Sequence, residues 1–395
     1  MFDTKEGNWG TMTQPAAAYR YTNTRLTKYS DRVFFDPFYL PMVKMVPNFD
    51  GSTVEPLILP ALLPNALLNG NFGIAPGVNT RSPSFTLESV IALIQKMLKD
   101  KQEPTAKDCL DLVLTTRYGG RVIKSKGQRS ELLRLYKTGK AKVVFDSTLT
   151  VMKDGSIRIN RFAPIGDIEK LLAKVEGIKG VAAAKDDSDK LDPFGTAYLI
   201  KLGKGVKEAD REDIIKKIRL AFRASWQYNV KVTDRFVDEK GQGAAKLRHS
   251  TPPQILIDWL KYRLQLEQEA CAYWIVETDK KIEYLRLMQL AIKHIDFIVK
   301  CLKDKSLKGQ ELDDKVAKGL KITVAQAKSI LDRPIRQLRA LEYDDLQAKI
   351  DEHERYKAEL RSRKDKPAKY VYKHVGDILV DLLAKKSEKT SGGQS

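Results

Sequence analysis

Three hydrophobic rhythms follow one another along the chain. Residues 1–82 hold only short apolar runs, such as Leu57-Ile58-Leu59 and Ala66-Leu67-Leu68, set among Pro, Gly, Asn and aromatic residues. That punctuation predicts an irregular platform of loops and short elements. Between residues 86 and 140 the apolar positions take helical spacing, first in Leu87, Val90, Ile91 and Ile94, later in Leu132, Leu133 and Tyr136. Residues 142–161 alternate instead: Val143 to Val151 and Ile157 to Arg161 flank the turn Lys153-Asp154-Gly155 and predict a β-hairpin. The stretch 167–237 predicts helices near 167–176 and 209–226 and strands near 178–184, 196–202 and 229–237, which is an α+β unit.

The third rhythm is long and unbroken. From Gln254 to Lys308 there is neither glycine nor proline. Cys271, Ile275, Ile282, Leu285, Met288, Ile292, Ile295, Val299 and Leu302 recur three or four residues apart, except across the polar Thr278. One continuous helix here would be about 80 Å long, and its stripe needs a partner helix. Val324–Leu360, with Leu331, Ile335, Leu338, Leu341, Leu346 and Ile350, is the expected returning arm of an antiparallel coiled coil. The helix-rich link 309–323 would form its tip, and Pro334 should break or kink the return. Residues 370–384 predict one more short amphipathic helix, and the polar 385–395 a disordered tail. The expected fold class is α+β, with a platform over 1–85, an α+β domain over 86–250, a coiled-coil arm over 251–384 and the tail.

Composition narrows the function classes. With 395 residues, 42% of them apolar, the chain can bury more than one core and is not intrinsically disordered. Lys and Arg total 70 against 51 Asp and Glu, a formal charge of +19, which points to a polyanionic partner and to nucleic acid first. Cys109, Cys271 and Cys301 are scattered, as are the four histidines, which argues against a disulfide framework or a zinc site. No apolar run approaches the roughly 18 residues of a membrane span, and the N-terminus lacks a signal core. A cytoplasmic location is expected.

The residues that carry chemistry lie near the start. Glu6-Gly7-Asn8-Trp9-Gly10 precedes Pro15-Ala16-Ala17-Ala18-Tyr19-Arg20-Tyr21-Thr22-Asn23-Thr24-Arg25-Leu26. This resembles the glycine-rich loop and active-site tyrosine segment of the type IIA DNA topoisomerase cleavage subunit, the A-type or phage medium subunit, with Trp9 where the family has Phe. The resemblance puts Tyr21 on the nucleophile and Arg20 on its neighbour. A phenol has a reference pKa near 10 and is mostly protonated at neutral pH. An adjacent guanidinium stabilises the phenolate and the crowded charge of a phosphoryl transition state. The phosphotyrosine ester so formed conserves the bond energy for religation.

Further matches follow in family order. Leu63-Pro64-Asn65-Ala66-Leu67-Leu68-Asn69-Gly70-Asn71-Phe72-Gly73-Ile74-Ala75-Pro76-Gly77 is similar to the segment whose isoleucine wedges between base pairs, which implies that role for Ile74 and a DNA contact for Asn69. Asn48-Phe49-Asp50-Gly51 resembles a family turn. Gly119-Gly120-Arg121 and Leu135-Tyr136-Lys137-Thr138-Gly139-Lys140 resemble the segments leading into the family's tower domain, with Ala141 where a second glycine is usual. Around them lie Arg117, Arg121, Lys124, Lys126, Arg129, Arg134, Lys137, Lys140 and Lys142 against the single Glu131, a stripe suited to phosphates. With Ile74 and Asn69, the residues Arg25, Arg117, Arg121, Lys124, Lys137 and Lys140 are the expected DNA-binding residues. Lys185-Asp186-Asp187-Ser188-Asp189-Lys190 resembles a structural tower loop. Gln326 to Asp332 and Leu338 to Glu342 resemble the dimer gate, where Pro334 and Arg336 depart from the family pattern.

The resemblance implies a partial winged-helix platform, an α+β tower, and a coiled-coil arm ending in a dimer-gate helical bundle. It implies an ATP-dependent type II DNA topoisomerase component that links transiently to each strand so that a second duplex can pass, in a bacterial cell or a phage-infected one. The alternative is an inactive or split-gene fragment that keeps DNA binding and dimerisation. Homodimerisation and an ATPase/toprim partner are implied, with Mg²⁺ and ATP on that partner. Family members carry winged-helix sequence before the tyrosine segment, so a separate chain supplying it, or a truncated reading frame, is also an expectation.

Overall fold

The computed structural model describes residues 7–10, 15–164, 166–188, 196–235, 245–304, 306, 309–332 and 343–391. The chain forms two compact units, Met1–Arg263 with Val371–Ser395, and Leu264–Tyr370.

In the first unit the opening residues form short elements, as their punctuation predicts. They include helices Lys28–Phe34 and Asn65–Asn69 and two hairpins, Met45–Pro47 with Val54–Pro56 and Asn71–Ala75 with Val78–Ser82. The helical spacing after residue 86 yields Leu87–Asp100, which buries Val90, Ile91, Leu93, Ile94 and Met97, and Lys126–Thr138. Cys109 lies buried in this region, and burial pushes its thiol up to about 12, so it stays protonated and unreactive.

Two antiparallel sheets organise the rest of this unit. One has the order Asn71–Ala75, Val78–Ser82, Ala224–Asn229, Lys140–Asp146, Arg121–Val122. The other has the order Val181–Asp186, Tyr198–Leu202, Ile157–Arg161, Thr148–Val151. Helices Ile168–Glu176 and Glu208–Ala221 cover the second sheet, and Ile157, Ile159, Tyr198 and Ile200 alternate inward to meet Ile168, Val175, Ile214 and Ile218.

The structure corrects several expectations here. The strand expected over Val143–Val151 is two strands. Lys140–Asp146 pairs with Ala224–Asn229, and Thr148–Val151 pairs with Ile157–Arg161. Ser147, buried between them, donates its hydroxyl to the Phe222 carbonyl at 2.8 Å and accepts from the Ala163 N–H at 2.9 Å, so its side chain is hydrogen-bonded where the chain changes sheets. The helix expected to reach residue 226 ends at Ala221, because Ala224–Asn229, with Trp226 and Tyr228, pairs into the first sheet. The strand expected near 229–237 begins instead at Lys231, in a hairpin of Lys231–Arg235 with Ala245–His249.

The second unit is helical. The expected single helix from Gln254 is a helix of 42 residues, Pro252–Lys293, about 63 Å at 1.5 Å per residue, followed across His294 by Ile295–Lys303. The two prolines sit at its start, where a missing N–H costs nothing. The break lets Ile298 and Cys301 turn into a cluster with Met288 of the long helix, Val316 and Leu320 of Gln310–Leu320, and Ile330 of Val324–Leu331. The returning arm is Tyr343–Asp365, antiparallel to the long helix. Arg286 donates to Glu354 at 3.0 Å, Lys357 pairs with Asp279, and Arg363 with Glu267 at 2.8 Å. Pro334, Ile335, Leu338 and Leu341 fall outside the described residues. The last helix, Pro367–Ser391, counts from Val371 onward with the first unit and runs past Lys385, where the tail was expected to begin.

Glu267 is fully buried, and Arg363 is 12% exposed. Removing one partner of such a pair leaves a buried charge, so Glu267→Ala should destabilise the arm by about 3–5 kcal/mol. Denaturant unfolding followed by circular dichroism checks this.

Candidate active site and nucleic-acid interface

Tyr21 closes a single 3₁₀ turn, Tyr19–Tyr21, in which the Tyr21 N–H donates to the Ala18 carbonyl at 2.9 Å and the Thr22 hydroxyl to the Tyr19 carbonyl at 3.0 Å. The turn buries none of its own residues. Tyr21 is 65% exposed, and Tyr19 is more exposed still. The Arg20 guanidinium lies over the Tyr21 ring, 5.0 Å from its centroid. The expected neighbour therefore touches the expected nucleophile.

The glycine-rich loop explains why the turn sits where it does. The Ala17 N–H donates to the Asn8 carbonyl at 2.9 Å, and the Asn8 side chain accepts from the Gly10 N–H at 2.9 Å. Gly7 has φ +89, and a Cβ there would lie 2.2 Å from the Tyr21 carbonyl oxygen. Only glycine permits that backbone and that approach. Gly7, Asn8 and Gly10 thus form a backbone cradle for the tyrosine turn. Glu6 itself lies outside the described residues.

The second motif forms a hairpin of exposed apolar groups. In Asn71–Ala75, Ile74 is 75% exposed and Phe72 is 60% exposed. Ile74 is not a buried loop residue. Asn69 ends the short helix before it and donates to Asn65 at 2.8 Å. Upstream, the Asn48-Phe49-Asp50-Gly51 turn leaves Phe49 fully exposed. The Ser52 hydroxyl and then its N–H hold the Asp50 carboxyl below the usual carboxylate range.

Two hollows flank the hairpin. One, of about 510 Å³, is lined by Phe72, Ile74, Arg81, Arg134 and Lys140 among others. The other, of about 620 Å³, is lined by Asn69, Phe72, Arg81, Arg117 and Trp226 among others. The expected residues Ile74 and Lys140 thus share one hollow, and Asn69 and Arg117 share the other. Arg25, Arg121, Lys124 and Lys137 are exposed but line neither. Lys140 is delivered by Gly139, which caps helix Lys126–Thr138 in the left-handed region at φ 72 and whose added Cβ would meet the Ser250 carbonyl at 2.0 Å. Arg81 is missed by motif reading. Its only signal is its register opposite Phe72 across the hairpin. In the tower-like loop Arg158 binds Asp187 at 2.7 Å, while Asp189 and Lys190 fall outside the described residues.

Among the described residues no group of three or more His, Cys, Asp or Glu side chains could hold a metal ion, and no helix is long and apolar enough to cross a membrane.

Fold and site together define a protein that offers an exposed tyrosine with a guanidinium over its ring and carries, in the same unit, a basic hairpin platform with exposed apolar residues. The family profile of the DNA gyrase/topoisomerase IV A subunit matches residues 3–375, and the chain belongs to that family. It is similar to the A subunit of DNA topoisomerase 4 from Escherichia coli K12, 28% identical over 371 residues, 90% of this chain and 46% of that protein. The DNA gyrase A subunit of Kosmotoga olearia is 27% identical over 353 residues, 86% of this chain and 41% of that protein. The DNA gyrase A subunit of Thermotoga maritima is 28% identical over 357 residues, 87% and 42% respectively. The chain spans less than half the length of these relatives.

Proposed function

We propose that this chain breaks and rejoins duplex DNA as the cleavage subunit of a type IIA topoisomerase, with Tyr21 as nucleophile. The observation that carries this is the Arg20 guanidinium over the exposed Tyr21 ring, on the motif that the family match covers. The Tyr21 oxygen bonds to phosphorus as the phosphodiester bond to one deoxyribose oxygen breaks. The phenolic proton leaves and a proton caps the departing oxygen. Rejoining is the reverse, with no net change in bonds. Arg20 offsets the charge that gathers on the phosphoryl oxygens.

Ile74 serves as a wedge that unstacks one base step and bends the duplex, and the cations beside it hold phosphates. Two chains acting as a dimer through the helical arm would cut both strands. Mg²⁺ and ATP are assigned to an ATPase/toprim partner subunit, and the setting to the cytoplasm of a bacterial or phage-infected cell.

The test is covalent capture. The chain, a family B subunit, Mg²⁺ and end-labelled duplex are mixed, quenched with denaturant and digested with protease. A nucleotide-bearing peptide containing Tyr21 supports the reading, and an adduct mapped to another residue, or none, sinks it. Salt dependence tests the platform separately. Lys140→Gln should lower the slope of log affinity against log salt by about 0.9, the loss of one phosphate contact. Fluorescence anisotropy at several salt concentrations measures it.

A further inference from the structure

The apolar tip of the hairpin is wider than one residue. Phe72 and Ile74 stand two apart on the same strand, so they project from the same face. Both are exposed, although a phenyl ring gains most from burial. Phe72 is also held in place. Its cross-strand partner is Arg81, whose guanidinium lies 4.4 Å from the Phe72 ring centroid and 4.7 Å from that of Trp226. The cation is therefore sandwiched between two rings and fixes one face of Phe72 while the rest stays open. Phe72 and Arg81 line both hollows and so form the ridge between them, with Arg134 and Lys140 on one side and Arg117 on the other.

An exposed aromatic held rigid between two cationic hollows is poorly explained as packing. It fits an occupant that is anionic at its edges and apolar and stacked at its centre, which is duplex DNA. The spacing agrees. Two residues along a strand cover about 6.8 Å, and two base-pair steps rise by about the same distance.

We infer that Phe72 is a second apolar contact with the duplex, so that the hairpin engages DNA as a two-point wedge, Ile74 at one base step and Phe72 against the bases two steps away. This rests on the breakage-rejoining reading above and extends it to a residue that the motif does not single out. The two points make the bend stiffer, because rotation about one inserted side chain is blocked by the other. Arg81 keeps the Phe72 ring from folding back over the sheet.

The experiment uses the full chain and a duplex of about 30 base pairs with a donor and an acceptor dye at its ends. Energy transfer reports bending, and anisotropy reports binding. Ile74→Ala and Phe72→Ala should each lower the bent fraction, by about threefold to tenfold, with a further fall in the double variant. Phe72→Leu, which keeps an apolar wedge, should retain most of the bending, and Phe72→Gln, of similar reach but polar, should lose it. If Ile74→Ala lowers bending while Phe72→Ala and Phe72→Gln do not, the two-point wedge is wrong and the single wedge stands. If none of the variants changes bending, the wedge reading itself fails, and the two-point wedge with it.

Discussion

Tyr21→Phe should lose covalent attachment to DNA by about 10⁴-fold or more, because a nucleophile removed outright leaves only binding behind. Duplex affinity should stay within about twofold, since one exposed hydroxyl contributes little to stability or affinity. Tyr19→Phe is the internal control. Tyr19 lies on the same 3₁₀ turn and is more exposed, at 87% against 65%. Exposure alone would favour Tyr19. The guanidinium over the ring favours Tyr21. Arg20→Lys keeps a charge but loses the flat face that stacks on the phenol, so adduct yield should fall with little change in binding. Denaturant-trapped adducts on labelled DNA, resolved by gel, measure all three variants. An adduct that survives in Tyr21→Phe and vanishes in Tyr19→Phe would reverse the assignment.

Gly7→Ala should cost nearly as much without touching any reacting group. The new Cβ would come within 2.2 Å of the Tyr21 carbonyl at a φ that side chains rarely adopt. Either the loop or the tyrosine turn must move. A displacement of about 1 Å at a reacting group can cost about a hundredfold in rate. The loss should appear in adduct formation, while anisotropy on the same duplex and the thermal midpoint remain close to wild type, because Gly7 contributes nothing to the buried core. Equal rates for Gly7→Ala and wild type would show that the loop does not position Tyr21.

Local pattern predicted much of this fold. Alternation over Ile157–Arg161 and Tyr198–Leu202 corresponds to real strand faces, and the three-four spacing of Leu285, Met288, Ile292 and Ile295 to one apolar cluster, whereas beyond them Ile298 and Cys301 are buried and the expected Leu302 is exposed. Where pattern misled, the cause lay far away in sequence. The helix expected to pass residue 221 stops because Ala224–Asn229 finds a partner in Lys140–Phe145. The long helix breaks at His294 although no glycine or proline marks the place, because Ile298 and Cys301 bury against helices that follow. Helical spacing persists across such a break, so periodicity alone does not reveal it.

The candidate site was legible for a different reason. Tyr21, Arg20 and Ile74 stand in contiguous motifs, and a motif is readable without knowing the fold. Arg81 was invisible because its meaning depends on Phe72 across the hairpin and on Trp226, a strand far along the chain. The basic stripe was legible as charge but not as shape. Of its members, the structure brings Arg134 and Lys140 to one hollow and Arg117 to the other, and leaves Arg121, Lys124 and Lys137 elsewhere.

The crossing at Ser147 has a mechanical side. One residue separates a strand of the sheet that carries the Ile74 hairpin from a strand of the other sheet. A load on the hairpin passes through Val78–Ser82, Ala224–Asn229 and Lys140–Asp146, and from there along covalent bonds into Thr148–Val151. The two Ser147 hydrogen bonds pin that joint to Phe222 and Ala163. The two sheets are therefore joined through one short, hydrogen-bonded link, so a tilt of one sheet against the other would bear first on those two bonds.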